Sequence, residues 1–168
     1  MHRPTRRLLE VSVLIGALAA TMILAQPASQ AQVPRERNGT EARKEATLVA
    51  DNMTGAQVVP GPGDPDGFGT ARLPNNSSTG TICWNINTEL IDVPLTASLI
   101  HAGAAGQEGV VVLQLFGEVN NPDPSGCRSA DPQLLRDLNQ NSREFYLEIS
   151  NFSFSGGAIR GQLRIDKS

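Results

Sequence analysis

The sequence predicts an antiparallel all-β fold, either a β-sandwich or a Greek-key barrel, with one short helix in a connection. Apolar and polar residues alternate over several short segments, which is typical of strands that have one buried face. Turn clusters such as Gly61–Gly67 and Gly103–Gly109 separate these segments. Only 18% of the residues are charged, and the chain contains 16 Gly and 11 Pro. This composition argues against helical bundles and coiled coils.

The N-terminal segment has the features of an export signal. The basic stretch Arg3–Arg7 precedes an apolar run over residues 11–25, which is too short to span a membrane. We predict a signal peptide over residues 1–31, with cleavage after Ala31; an earlier cleavage site and an uncleaved anchor are the alternatives. The mature protein is then expected to be secreted or held in the cell envelope, with no transmembrane domain.

The rest of the chain is predicted to be a spacer followed by one domain. Residues 32–44 are polar, contain Pro34 and Gly39, and lack any apolar periodicity, which is typical of a disordered spacer. Residues 45–168 have the length of a single domain. The net charge of -3 provides no basic surplus for a phosphate backbone, so nucleic acid is not expected as a partner.

Strands are predicted wherever alternation or an apolar run is found. In chain order they cover residues 45–51, 56–59, 70–73, 81–86, 96–101, 110–116, 144–149 and 159–165. The segment 110–116 is almost continuously apolar, which favours a central strand that is buried on both faces.

The connection before the last two predicted strands contains the helix, which is expected to end at Asn139. Asp131 supplies an N-cap, and Pro132 occupies the first helical position, where no backbone N–H is needed. Three leucines within residues 134–138 repeat at helical spacing. We expect this apolar stripe to pack on the sheet.

Cys83 and Cys127 are the only cysteines in the chain. An exported protein meets oxidising conditions, under which an even pair of cysteines is typical of one disulfide. We predict that these two residues are joined, and the alternative is a pair of free thiols. Their spacing is not that of a thiolate metal site.

Nine segments carry a resemblance to a known family. They are residues 46–48, 54–60, 69–73, 81–87, 101–103, 106–113, 134–138, 145–147 and 156–163. In this order they resemble the CHRD domain, the module named after chordin, over residues 45–165. The closing segment, GGAIRGQL, and the His-Gly loop are its most specific parts. The resemblance implies an interaction role for the domain.

The chain departs from the resembled family at its histidines. Typical members have His-x-His where this chain has Leu99, Ile100 and His101, and a further His where it has Ser150. Imidazoles at that spacing share one strand face and suggest a transition metal. Because only His101 remains, we expect no metal and no cofactor, with His101 as the single candidate ligand.

His101 and Arg160 are singled out for an interaction or structural role. His101 is predicted to form a hydrogen bond at the mouth of the Gly103–Gly109 loop; the alternative is a ligand or an acid–base group. Arg160 lies on the polar face of the last predicted strand. It is predicted to pair with an acid such as Glu148 or Asp92, and the alternative is a bidentate contact with a carboxylate ligand.

The other noteworthy carboxylates are assigned to solvated positions. Asp64 and Asp66 share a Gly-rich loop but lack the further ligands of a calcium site. Glu144 and Glu148 lie about 13 Å apart along one strand, which exceeds the separation used by glycosidases. We therefore predict no catalytic residue.

These observations favour an exported, non-catalytic β domain that binds an extracellular or envelope protein or polymer. A metal-dependent redox enzyme is the alternative, as the His-rich members of the resembled family suggest. A purely structural spacer domain is the third hypothesis.

Overall fold

The computed structural model describes residues 44–117 and 124–167. The predicted signal peptide and residues 32–43 of the predicted spacer lie outside the described residues. Within the described ranges, no helix has the length and hydrophobicity needed to cross a membrane.

The described residues form nine strands, one α-helix and two 3-10 turns. The strands are β1 (Glu45–Thr54), β2 (Phe68–Asn76), β3 (Thr81–Glu89), β4 (Leu95–Ala102), β5 (Val110–Phe116), β6 (Ser125–Ser129), β7 (Phe145–Asn151), β8 (Ile159–Gln162) and β9 (Arg164–Ile165). Helix α1 covers Pro132–Gln140, and the turns cover Gly55–Gln57 and Ser142–Glu144.

The strands form one antiparallel sheet that nearly closes into a barrel. Neighbouring strands follow the order β5-β4-β7-β8-β1-β2-β3-β6, with β9 beside β1. The two outermost strands, β5 and β6, lie close to each other at one point. There, Arg128 of β6 donates a hydrogen bond to the backbone oxygen of Gln114 in β5. The predicted antiparallel β fold with one short helix is therefore confirmed, in its barrel form.

One apolar core fills the inner face of the sheet. On β3, the alternating residues Ile82, Trp84 and Ile86 are buried in this core. Leu135 and Leu138 of α1 are fully buried against it. Burial of one such leucine contributes about 1.5–3 kcal/mol, so the helix is held mainly by this stripe.

Helix α1 begins as the sequence predicts. The Asp131 side chain accepts a hydrogen bond from the backbone N–H of Gln133 at 2.6 Å, which caps the first turn. Asn139 exchanges two side-chain hydrogen bonds with Asn75, at 2.9 and 3.0 Å. Because both buried amides are satisfied by this exchange, the helix is tied to β2 without an orphaned polar group.

The predicted strand at residues 56–59 is wrong, because the chain turns there. Gly55 opens a 3-10 turn and packs so closely on Asp64 that a Cβ would lie 1.8 Å from the Asp64 backbone oxygen. The Asp64 side chain is buried, and this burial raises its pKa. The prediction of a solvated position is therefore wrong for Asp64, whereas Asp66 is exposed.

The apolar segment 110–116 forms an edge strand rather than a central one. Among the described residues, β5 pairs only with β4, and Val110 and Val111 are exposed. The opposite edge strand, β6, is not predicted from the sequence. Its residues, SGCRS, show no apolar alternation.

The predicted disulfide between Cys83 and Cys127 is present. The two residues lie directly opposite each other in the pairing of β3 with β6, and the bridge spans 44 residues of sequence. Gly126 lies against the Trp84 indole, where a Cβ would be 2.4 Å from the ring. The bridge and this close contact hold an edge strand that has little apolar surface of its own.

We expect the double variant Cys83→Ser/Cys127→Ser to lose about 2–5 kcal/mol of stability, the usual effect of removing a disulfide from a small exported domain. Urea unfolding followed by circular dichroism measures this loss. Ser129→Ala, on the same edge strand, is the control and should unfold like the unmodified protein. Two alkylatable thiols in the native, unreduced protein would contradict the bridge.

Candidate functional site

A row of polar side chains crosses three adjacent strands, β4, β7 and β8, on the outer face of the sheet. The strand register places His101 opposite Tyr146, Tyr146 opposite Gln162, and Glu148 opposite Arg160. Residues directly opposite each other on neighbouring strands share a face. These five residues are called the outer cluster below.

Most of the outer cluster is buried although it lies outside the barrel core. Arg160 and Tyr146 are each 1% exposed, Glu148 is 6% exposed and His101 is 8% exposed. A buried charge is costly unless other groups replace its hydration. The contacts of the cluster must therefore replace the water that the guanidinium and the carboxylate lose on burial.

Tyr146 is the centre of the cluster, because its ring has a partner on each side. The imidazole of His101 stacks on it with ring centroids 4.6 Å apart and an interplanar angle of 12°. The Cζ atom of Arg160 lies 3.4 Å from the centroid of the same ring. A desolvated cation–π contact of this kind contributes about 2 kcal/mol, which offsets part of the burial of Arg160.

The covering loop, Gly103–Gly109, closes over the cluster and is held at its far end by two side chains. His101 Nδ1 lies 3.0 Å from the Gly109 carbonyl oxygen and, because a carbonyl only accepts, donates this hydrogen bond. The Gly109 N–H donates to the Tyr146 hydroxyl at 3.1 Å. His101 thus makes the loop contact that the structural interpretation assigns to it.

The near end of the covering loop is held by two side chains of β8. Arg160 Nη2 donates to the Ala104 carbonyl at 3.0 Å. Gln162 Nε2 donates to the Gly103 carbonyl at 2.9 Å. Both ends of the loop are therefore fixed by side chains that project from the sheet beneath it.

Glu148 lies near His101 and opposite Arg160 in the strand register, without a close ion pair to the imidazole. Its Oε1 atom is 3.7 Å from His101 Nε2, beyond hydrogen-bond distance. In the described part of the chain, His101 Nε2 and Arg160 Nη1 are buried without a hydrogen-bond partner. Gly157, at φ 125°, covers the carboxylate so closely that a Cβ would lie 3.0 Å from its Oε2.

Burial dominates the electrostatics of the cluster. It raises the pKa of Glu148, and the electrostatic effects of His101 and Arg160 act in the opposite direction. Burial also lowers the pKa of Arg160, against the effects of Tyr146 and Glu148. It raises the pKa of Tyr146, against the hydrogen bond from Gly109. In each case the loss of hydration disfavours the charged form, and neighbouring groups partly offset this effect on the pKa.

The outer cluster does not fit a transition metal. Leu99 lies opposite Glu148 on this face and has no ligand atom. Ser150, two residues beyond Glu148 on β7, offers only a hydroxyl. Throughout the described residues, no three His, Cys, Asp or Glu side chains are grouped so that they could hold a metal ion. A site needs three or four converging ligands, and this face supplies an imidazole and a carboxylate.

The structure brings His101 and Arg160 into one cluster and corrects the position of Glu148. The prediction that Glu148 is solvated is wrong, because Gly157 and His101 pack against its carboxylate, whereas Glu144 is exposed. Arg160 lies opposite Glu148 in the register, and its guanidinium contacts the Tyr146 ring and the Ala104 carbonyl.

Tyr146 and Gln162 are the members of the outer cluster that sequence analysis does not single out. Both occupy the same alternating phase as Glu148 and Arg160 on their strands. The sequence pattern that could identify them is this shared alternation. It places the two residues opposite each other on β7 and β8 once the strand register is known. Without the register, they are indistinguishable from other polar-face residues.

Comparison with known protein families identifies the family of this chain. A family model described as the CHRD domain matches residues 49–163. The match contains every residue of the outer cluster, the covering loop and both cysteines. Searches of curated proteins and of solved structures found no match to this chain.

The raised pKa of Glu148 predicts a pH dependence of stability. Above the ordinary value of 4.5, the folded state retains a proton that the unfolded chain releases. The stabilising contribution of this group is therefore complete below about pH 4.5 and is lost as the pH rises through the folded pKa. We expect the free energy of unfolding of the unmodified protein to fall, relative to that of Glu148→Gln, across this interval.

Urea denaturation at a series of pH values measures this difference. Glu144→Gln is the matched control, since Glu144 is an exposed acid near the start of the same strand. The free energy of unfolding of Glu144→Gln, relative to that of the unmodified protein, should not change with pH in this way. If the difference in the free energy of unfolding between Glu148→Gln and the unmodified protein stays constant with pH, Glu148 titrates normally and the prediction is wrong.

Proposed function

This chain belongs to the CHRD domain family, and we propose that it works as an exported interaction module without catalytic activity. The proposal rests on one observation, an exposed apolar end of the barrel. This docking end consists of Leu90, Val93 and Phe152, which are 72%, 77% and 65% exposed. Large apolar side chains that are grouped and exposed are typical of interaction sites.

Hydrogen bonds bring the two loops of the docking end together. Leu90 and Val93 lie in the connection between β3 and β4, and Phe152 lies just after β7. Asp92 joins them, because its carbonyl accepts from Asn151 Nδ2 at 3.3 Å and its carboxylate accepts from Ser153 Oγ at 3.1 Å. The apolar side chains therefore project from a braced pair of loops.

Leu90 also adopts a backbone conformation that leucine rarely takes. Its φ is 57°, and it is the only non-glycine residue with a positive φ in the described ranges. The left-handed region costs an L-residue about 1–2 kcal/mol. Strain of this kind is retained mainly at functional positions, which supports a role for the exposed side chain.

The charges around the docking end favour a protein partner. Glu89 and Asp92 flank the apolar side chains and are exposed. An anionic membrane surface would be repelled by these carboxylates. We infer that the partner is a protein with an apolar pocket and a rim of Lys or Arg, because that surface complements both features.

The redox alternative has no supporting observation in the described residues. Their donor set does not form a transition-metal site, and the outer cluster is occupied with holding the covering loop. The hypothesis of an inert spacer does not account for the strained and exposed Leu90. The interaction module is therefore the function that we propose.

We propose that the protein acts outside the cytoplasm. The Cys83–Cys127 bridge supports this location, because disulfides persist mainly in oxidising compartments. Cleavage after Ala31 should leave an N-terminus within a few residues of Gln32, which mass spectrometry of the exported protein measures. A chain expressed from Gln32 is the control and should stay inside the cell. Recovery of intact Met1 outside the cell would contradict cleavage.

Site-specific photocrosslinking tests the docking end. A benzophenone amino acid at position 152 should crosslink one protein partner in the native compartment. The same probe at position 111, on the exposed edge strand, is the control and should give no such adduct. The identified partner is then purified and its affinity measured against Leu90→Ser, Val93→Ser and Phe152→Ser. Each variant should bind about tenfold or more weakly, as expected for apolar anchors in an interface.

Three results would overturn the proposal. They are equal crosslinking from positions 111 and 152, adducts with lipid alone, and unchanged affinity in all three variants. Circular dichroism establishes that each variant is folded before its affinity is compared.

A further inference from the structure

A second candidate site lies at the hairpin between β2 and β3. It is a groove of about 530 Å³ on the outer face of the sheet. The residues that matter to the argument are Glu45, Thr47, Pro74, Asn76, Thr79 and Thr81. This volume falls within the range of roughly 300–1,000 Å³ that is typical of small-molecule sites.

The strand register arranges the groove side chains as a regular array. Glu45 of β1 lies opposite Asn76 of β2, which lies opposite Thr81 of β3. Thr47 and Pro74 form the next pair on the same face. Three neighbouring strands therefore present polar side chains in adjacent rows, with the proline ring between them.

Hydrogen bonds within the groove fix the orientation of its polar groups. Asn76 Nδ2 donates to Glu45 Oε1 at 2.7 Å. Asn76 Oδ1 accepts from the backbone N–H groups of Ser78 and Thr79, at 2.8 and 3.2 Å. Thr79 Oγ1 donates to Thr81 Oγ1 at 3.2 Å. A site whose groups are already oriented loses less entropy when a ligand binds.

The chemistry of the groove selects a class of ligand. Hydroxyl and amide groups both donate and accept hydrogen bonds. Among the described residues, no Lys or Arg lines the groove, so it does not suit a phosphate or sulfate. One carboxylate, Glu45, is too few for a divalent cation. Pro74 and Cys83 also line the groove and add small apolar surfaces.

We propose that this groove binds an uncharged oligosaccharide segment of an extracellular or envelope polymer. Sugar hydroxyls both donate and accept, which matches the threonine and amide groups. The C–H face of a sugar ring matches the apolar surface of Pro74 and Cys83. The site is separate from the docking end, because Thr81 and Glu89 lie at opposite ends of β3, about 27 Å apart at 3.4 Å per residue.

Nuclear magnetic resonance titration of the mature protein tests this proposal. The probes are the tetrasaccharides of β-1,4-glucose, α-1,4-glucose, β-1,4-N-acetylglucosamine and β-1,4-mannose, each added to millimolar concentration. At least one probe should shift the backbone amide signals of Thr47, Asn76, Thr79 and Thr81 in a saturable manner. The amide signals of the docking end should not move.

Isosteric variants measure the contribution of individual hydroxyls. Thr47→Val and Thr81→Val keep a β-branched side chain and should each weaken binding about two- to tenfold, the loss expected for one neutral hydrogen bond. Thr70→Val is the matched control, since Thr70 lies on β2 outside the groove. It should bind like the unmodified protein.

Several outcomes would overturn the proposal. One is that none of the four probes shifts the groove signals; another is that Thr70→Val weakens binding as much as Thr81→Val. Saturable shifts caused by a tetrapeptide or by calcium, without any caused by sugar, would assign the groove to another ligand class. None of these results depends on the docking end, so the proposed protein partner is tested separately.

Discussion

The buried guanidinium of Arg160 is the constraint on which the outer side of the barrel depends. A charge that is 1% exposed cannot remain on a sheet face unless other groups replace its water. Tyr146 supplies an aromatic face, Glu148 supplies a nearby negative charge, and the covering loop supplies a carbonyl. The position of the loop follows from this requirement, since Ala104 must lie within reach of the guanidinium.

The same arrangement gives the buried polar residues on this face a structural role. Imidazole, carboxylate, phenol and guanidinium are the groups that catalysis commonly uses. Here Nδ1 of His101, the hydroxyl of Tyr146 and one nitrogen of Arg160 are each engaged with the backbone of the covering loop. Their arrangement orders a loop, and the exposed surfaces of the protein lie elsewhere.

The sequence predicts the fold class well because its main signal is alternation, which depends only on which face of a strand is buried. Ile82, Trp84 and Ile86 show this directly. The same signal fails where exposure depends on neighbours distant in sequence. The run 110–116 is apolar, yet in the described part of the chain it pairs only with β4 and is therefore an edge strand. Glu148 is polar by pattern and is buried because His101 of β4 and Gly157 lie against its carboxylate. The outer cluster could be predicted only in part, since the register that assembles it is set by β4, β7 and β8 together.

The near closure of the barrel also bears on how the molecules behave towards one another at high concentration. Free strand edges are templates for intermolecular pairing and aggregation. In this protein the outermost strands β5 and β6 are joined by the hydrogen bond from Arg128 to Gln114, so part of each edge faces the other strand. The bridge that anchors β6 to β3 therefore does more than add stability to one chain. Because the bridge holds β6 beside β5, its reduction is expected to leave both strand edges more open to pairing with a neighbouring molecule.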